Sequence, residues 1–211
     1  MGTLYFLGGE NVFRRTAKEI NELAFQDAGG VPNVLVVSWA RASFDVSFRR
    51  RKILLDYLRS LGAESVIFLD YSGSVEENIA KIAKSNLIYL TGGQPSILLE
   101  RLKQKGIDRL LRSYTGVIVG RSAGALILGA SFLATNRYPR KSKVVEGIGL
   151  VDFSVKVHYE PSQDVALEEF SRNGRVYAIP QSSALILKSG LLLAVGDVFL
   201  FDHGVKSRVS S

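Results

Sequence analysis

Along the first two thirds of the chain, the apolar positions switch between two periods. Short apolar runs at residues 4–7, 34–37, 65–69, 87–90 and 116–119 have the length and composition of buried strands. The segments between them place apolar residues three and four apart. Ile53, Leu54, Tyr57, Leu58 and Leu61 are the clearest set, closed by Gly62. Helices are predicted around residues 13–28, from about 44 to 61, near 75–84, and from Pro95, which stands where a helix tolerates proline best. Strands alternating with helices predict βαβ units and parallel pairing. The last third reads differently. Runs at 155–157, 175–179, 185–187, 191–195 and 198–201 are separated by turn residues such as Ser189-Gly190 and Gly196-Asp197. They predict strands that finish the sheet and then form antiparallel hairpins, with one helix near 164–171. The expected fold class is α/β, a three-layer sandwich with a mostly parallel central sheet flanked by helices and with C-terminal antiparallel hairpins. With no repeat or linker, residues 1–211 are expected to form a single domain.

Composition narrows the chemistry. The 211 residues include no Cys, which removes disulfides, thiolate metal sites and a catalytic thiol. A net charge of +7 raises nucleic acid as a partner. The basic residues form no single stripe, however: Arg49-Arg50-Arg51-Lys52 opens an amphipathic helix, and Arg137, Arg140, Lys141 and Lys143 surround Pro139 in a predicted loop. The amino terminus lacks a basic region followed by a long apolar stretch, and no apolar run reaches membrane-span length. The expectation is a cytoplasmic protein with no nucleic-acid and no membrane partner.

The most informative motif is Gly120-Arg121-Ser122-Ala123-Gly124, a G-x-S-x-G between a predicted strand and a predicted helix. A sharp strand-to-helix turn leaves no room for side chains beside the serine, and it lifts the hydroxyl above the sheet. Ser122 is therefore the candidate nucleophile, with the Ala123 amide a candidate oxyanion donor. A serine alcohol needs a base, and the chain has only two histidines. His158 ends the run 155–157, where open α/β sheets gather site residues, whereas His203 lies in an apparent hairpin turn. Thr91-Gly92-Gly93-Gln94 ends the preceding strand and offers further amides.

In this order the residues resemble the peptidase E and cyanophycinase family of serine peptidases, whose members have a fold similar to the class I glutamine amidotransferases. The likeness rests on Leu90-Thr91-Gly92-Gly93-Gln94 before a leucine-rich helix, on Gly120 to Ala125, on Gly147-Ile148-Gly149-Leu150 ahead of His158, and on Ile179-Pro180-Gln181. The resemblance implies Ser122 as nucleophile, His158 as base, and Gly93 with Ala123 as oxyanion donors. Gly92, Gln94, Arg121 and Arg137 become candidate substrate contacts. Two features depart from the aspartyl dipeptidases. Thr135-Asn136-Arg137 stands where they have T-N-D, and residues 164–170 do not match their E-x-R-E-x-R segment. The orienting acid then falls to Glu160, because His158-Tyr159-Glu160 has the H-x-E form of amidotransferase-like triads, and residues two apart in an extended segment share a face. Glu146 and Asp152 are the competitors.

The implied activity is hydrolysis of short peptides, of dipeptide or isoaspartyl type, without strict preference for amino-terminal aspartate. The expected partner is a small peptide substrate, with the chain a monomer or homodimer. No cofactor and no metal are expected: the two histidines are far apart in sequence, and no zinc or dinucleotide signature is present. Two alternatives stand beside this reading. One is an esterase of the α/β-hydrolase class, which would use His203. The other is a binding or regulatory relative that kept only the fold.

Overall fold

The computed structural model describes residues 2–41, 43, 48–135 and 142–209, and the described residues form thirteen strands, seven α-helices and two short 3-10 turns. The first half holds β1 (Thr3–Leu7), α1 (Lys18–Asp27), β2 (Asn33–Val37), α2 (Phe48–Ser60), β3 (Ser65–Phe68), α3 (Val75–Lys84), β4 (Leu87–Leu90), α4 (Pro95–Gln104), α5 (Ile107–Ser113), β5 (Val117–Arg121) and α6 (Ala123–Leu128). There follow β6 (Ser131–Thr135), β7 (Ser142–Glu146), β8 (Ser154–Val157), α7 (Asp164–Phe170), β9 (Val176–Ile179), β10 (Ala184–Lys188), β11 (Leu191–Val195), β12 (Phe199–Asp202) and β13 (Val205–Arg208).

The main sheet has the order β11-β10-β1-β5-β4-β2-β3. β1 to β5 pair in parallel, and β10 and β11 add antiparallel strands at one edge. Strand alternation sorts the side chains to two apolar faces. Tyr5, Leu7, Val34, Val36 and Tyr89 meet Ile20, Phe25, Leu54 and Leu58 of α1 and α2. Leu4, Phe6, Leu35, Val37, Ile88 and Leu90 meet Leu98, Leu102, Ile107 and Leu128 on the opposite side. Burial on both faces is why these strands read as near-continuous apolar runs. The fold is α/β, with helices on both faces of a mostly parallel sheet and antiparallel strands toward the C-terminus.

Several details differ from the sequence expectation. The first helix begins at Lys18 rather than near residue 13, because Asn11 and Thr16 divert the backbone into turns: Asn11 Oδ1 accepts from Arg14 N, and Thr16 Oγ1 accepts from Asn11 N. The second helix begins at Phe48, and residues 44–47 of the predicted span lie outside the described residues. The basic segment read as a loop is entered by β6 and left by β7, which pair antiparallel; Lys143 is part of β7. Arg137, Arg140 and Lys141 lie outside the described residues. The late strands do not all extend the main sheet. Only β10 and β11 do so, while β8 and β9 pair in parallel within a second sheet of order β13-β12-β9-β8. Parallel partners need a crossover, and α7 supplies it. Phe153 links the sheets, with its ring centroid 5.6 Å from Phe6 and 4.6 Å from Tyr177.

Candidate active site

The site is assembled at the carboxyl end of β1. Leu7 O accepts from Ser122 N, Gly8 O from His158 N, and Gly9 O from Ser182 N, each at 3.0 Å. Three successive carbonyls thus hold the serine turn, the histidine and the segment carrying Gln181. This registration explains the Gly8-Gly9 pair. A Cβ on Gly9 would fall 2.6 Å from His158 Nδ1 and 2.5 Å from Cε1, and closer still to Gln181 Oε1. A larger residue at this position would have to displace both side chains.

β5 ends at Arg121 and α6 begins at Ala123, so Ser122 occupies the turn alone, with φ 52° and ψ −106°. A non-glycine residue with positive φ stores backbone strain of about 1–3 kcal/mol, which the surroundings must hold in place. They do so closely. A Cβ on Gly120 would lie 2.7 Å from Ala125 N, and one on Gly124 would lie 2.7 Å from Leu90 Cβ. The small residues of the motif are those that the turn can accommodate.

Ser122 Oγ lies 2.7 Å from His158 Nε2. The imidazole follows β8 and itself has positive φ, 50°. Burial is the largest influence on its acidity and, with the positive charges of Lys156 and Arg121, holds its pKa below the ordinary 6.5; a hydrogen bond with the Gln181 side chain opposes them. The ring is therefore biased toward the neutral form, the form able to take a proton. Because Nε2 faces the serine, the other ring nitrogen is the one that Gln181 reaches.

Gln181 stands where the sequence reading puts Glu160. The positive φ of His158 breaks the two-residue alternation of the strand, so residue 160 does not share the face of residue 158. Glu160 is exposed at the start of the short 3-10 turn at residues 161–163, where its backbone N–H donates to Gln163 Oε1 at 3.3 Å. The competitors lie elsewhere too: Glu146 is exposed on β7, and Asp152 pairs with Arg175 at 2.8 Å. His203 is exposed in the β12–β13 turn and bonds to Asp202 at 2.7 Å.

A cleft of about 560 Å³ opens over Ser122 and His158, and Gly92, Gly93, Arg121 and Gln181 contribute to its lining. Gly92 approaches the nucleophile closely, since a Cβ there would lie 3.3 Å from Ser122 Cβ. Gly93 has φ 149°, and a Cβ would be 2.8 Å from Ala40 Cβ, so both conformation and space require glycine. Gln94 donates its backbone N–H to Ala40 O at 2.7 Å and is not part of the lining. The Arg121 guanidinium lies 5.8 Å from the Tyr89 ring centroid. Arg137 lies outside the described residues.

Sequence reasoning gave no role to Gly9, Glu10 or Gln181, although all three line the site or wedge its parts together. The signal available for them is position: Gly9 and Glu10 follow the end of β1, and Gln181 follows the end of β9.

The profile of Peptidase family S51 matches residues 7–193. A protein of Listeria monocytogenes named as an uncharacterized peptidase is 28% identical over 128 residues, covering 54% of this chain and 62% of that protein. A similarly named protein of Pasteurella multocida is 25% identical over 153 residues, covering 67% of this chain and 72% of its own length. The chain thus spans a little over three fifths of the Listeria relative it matches. Among solved structures, a peptidase from an acI-B1 Actinobacterium superposes with TM-score 0.75 at 20% identity, covering 100% of this chain and 95% of that one. A putative peptidase E of Listeria monocytogenes superposes with TM-score 0.67 at 22% identity, with both chains fully covered. At these identities the structural likeness speaks for the fold.

Proposed function

The chain belongs to peptidase family S51, and on that premise we propose that it is a serine-type peptidase acting on short peptides through an acyl-enzyme at Ser122. The observation that carries the reading is the 2.7 Å contact between Ser122 Oγ and His158 Nε2, made across 36 residues of sequence. In the first step, the hydroxyl proton passes to Nε2 as Oγ bonds to the carbonyl carbon of the scissile amide. The carbonyl oxygen gains the negative charge. The amides of Gly93 and Ala123 are the donors proposed to receive it, and among the described residues neither has a backbone acceptor. Collapse breaks the C–N bond, and the imidazolium returns its proton to the departing amine. Water, deprotonated by His158, then attacks the ester and frees Ser122.

Gln181 takes the place of the orienting acid. Its carbonyl oxygen, which lies with His158 Nδ1 beside Gly9, is proposed to accept from Nδ1–H and so to favour the tautomer whose Nε2 lone pair faces the serine. A neutral amide does this without the electrostatic stabilisation that a carboxylate lends an imidazolium. Arg121, held against Tyr89 in the cleft wall, is proposed to meet a substrate carboxylate. These features support dipeptides or isoaspartyl peptides as substrates.

The test combines a fluorophosphonate probe with a library of dipeptides and isoaspartyl peptides. Labelling confined to Ser122, and turnover lost in Ser122→Ala and His158→Ala but kept in His203→Ala, supports the assignment. Folded protein that neither labels nor hydrolyses any member would make the chain a binding relative. Activity that depends on His203 instead would give the site to the esterase arrangement.

A further inference from the structure

Glu10 follows Gly9 at the end of β1, and its partly buried carboxylate forms part of the wall of the cleft that opens on Ser122 and His158. The group is held with care. Oε1 accepts from Asn21 Nδ2 at 3.2 Å, and Oε2 accepts from the Tyr89 hydroxyl at 3.1 Å. The Tyr57 hydroxyl accepts from the same Asn21 Nδ2 at 3.0 Å, and the neighbouring Glu10 is among the influences that raise its pKa after burial. Asn21, Tyr57 and Tyr89 are all buried, so α1, α2 and β4 together aim this carboxylate.

Every one of those donors is neutral. Among the described residues Glu10 makes no ion pair. The nearby guanidinium groups of Arg15 and Arg121 sit against the rings of Tyr57 and Tyr89, each 5.8 Å from the centroid, rather than on the carboxylate. A carboxylate withdrawn from water is costly unless a cation offsets it. A neutral amide of the same shape would serve a purely structural purpose equally well, because both phenol hydroxyls can rotate to accept instead of donate. Its hydrogen-bond donors account for the position of the carboxylate but not for its charge, and the group lines an open cleft whose wall also carries Arg41, Arg50 and Arg121.

We infer that Glu10 is a subsite for a positively charged alkylammonium of the substrate. The inference rests on reading the cleft as a peptidase site, and it makes the preferred substrate dipolar: an ammonium held by Glu10 and a carboxylate met by Arg121, with the scissile carbonyl placed over Ser122 between them. Two sources can supply the ammonium, a free amino terminus or a lysine side chain.

The test is calorimetric binding to the Ser122→Ala protein, which cannot consume its ligand. Asp-Leu carries only an α-ammonium, N-acetyl-Asp-Lys only a side-chain ammonium, and N-acetyl-Asp-Leu neither. At least one of the first two is expected to bind about tenfold or more tightly than the third, as charge-assisted hydrogen bonds warrant. Adding Glu10→Gln should erase that gain and leave N-acetyl-Asp-Leu within about twofold of its former affinity. The peptide showing the gain identifies the source. No gain in either peptide, a gain that survives Glu10→Gln, or an equal loss for all three peptides overturns the inference. The comparison among peptides requires no change at Glu10, so a poorly folding variant does not shield the idea. The two readings also fail separately. Peptide turnover without a charge preference removes only the Glu10 subsite, whereas a charge preference in a protein that neither labels nor hydrolyses keeps the subsite and removes the peptidase.

Discussion

Replacing Gly9 with alanine isolates the geometry on which the proposed chemistry depends. Gly9 is not among the glycines with positive φ, so alanine is compatible with its backbone and the perturbation is one methyl group. That methyl would sit 2.5 Å from His158 Cε1 and 2.6 Å from Nδ1. Ordinary non-bonded contact is about 3.5–4.0 Å, so the ring must retreat by about 1 Å. The backbone of His158 is fixed by its bond to Gly8 O, and the side chain therefore has to tilt. A displacement of that size stretches the 2.7 Å contact with Ser122 Oγ past hydrogen-bonding distance. It also forces the Gln181 amide away from the ring. A misplacement of about 1 Å in a reacting pair costs about 100-fold in rate. Overpacking should lower stability by about 1–3 kcal/mol, leaving a folded protein to measure. The assay is the second-order rate of fluorophosphonate labelling at Ser122, with circular dichroism and a melting curve as the control for folding. A folded Gly9→Ala protein that labels within about threefold of the parent rate would refute the argument, because the reactive pair would then tolerate the shift.

Further predictions concern the imidazole and the second sheet. Activity should fall on the acidic side with a midpoint below 6.5, since burial, Lys156 and Arg121 all favour neutral His158. Gln181→Leu removes the interaction that raises the pKa, so the limb should move further down while kcat drops about 10- to 100-fold with KM less affected; Gln181→Glu should move the limb up. The same depressed pKa means the unfolded chain binds more protons just below pH 6.5, so this histidine's contribution to stability is present above that pH and declines as pH falls toward the folded value. Lys206 lies 4.7 Å from the Phe199 ring centroid and 5.4 Å from that of Tyr159, and bonds to Asp164 at 2.8 Å, tying β13 to α7. Lys206→Ala should cost about 1 kcal/mol and lower Tm by about 2–4 °C in a melting curve, with labelling of Ser122 unchanged.

Local chemistry explains which parts of this molecule are readable from the chain alone. The apolar runs of β1, β2, β4 and β5 are unmistakable because both of their faces are buried, and the serine turn is legible because only small residues fit around it. Pro95 marks the start of α4 for an equally local reason. Other features answer to distant partners. The start of α1 depends on the side chains of Asn11 and Thr16, which accept from Arg14 N and Asn11 N and so compete with helix formation. The second sheet arises because β8 pairs with β9 across the α7 crossover, and nothing in either run distinguishes that pairing from membership of the main sheet.

The sequence by itself determined the α/β class, the parallel order of the early βαβ units and the residue types able to do the chemistry, since each follows from periodicity or from the steric demands of a few neighbouring positions. Only the tertiary structure decided which groups meet. The carbonyls of Leu7, Gly8 and Gly9 gather Ser122, His158 and the segment bearing Gln181 from three distant parts of the chain. The backbone twist at His158 turns Glu160 away and leaves an amide beside the ring. Spacing along a strand cannot encode such a choice, because it depends on a φ angle that long-range hydrogen bonds hold in place.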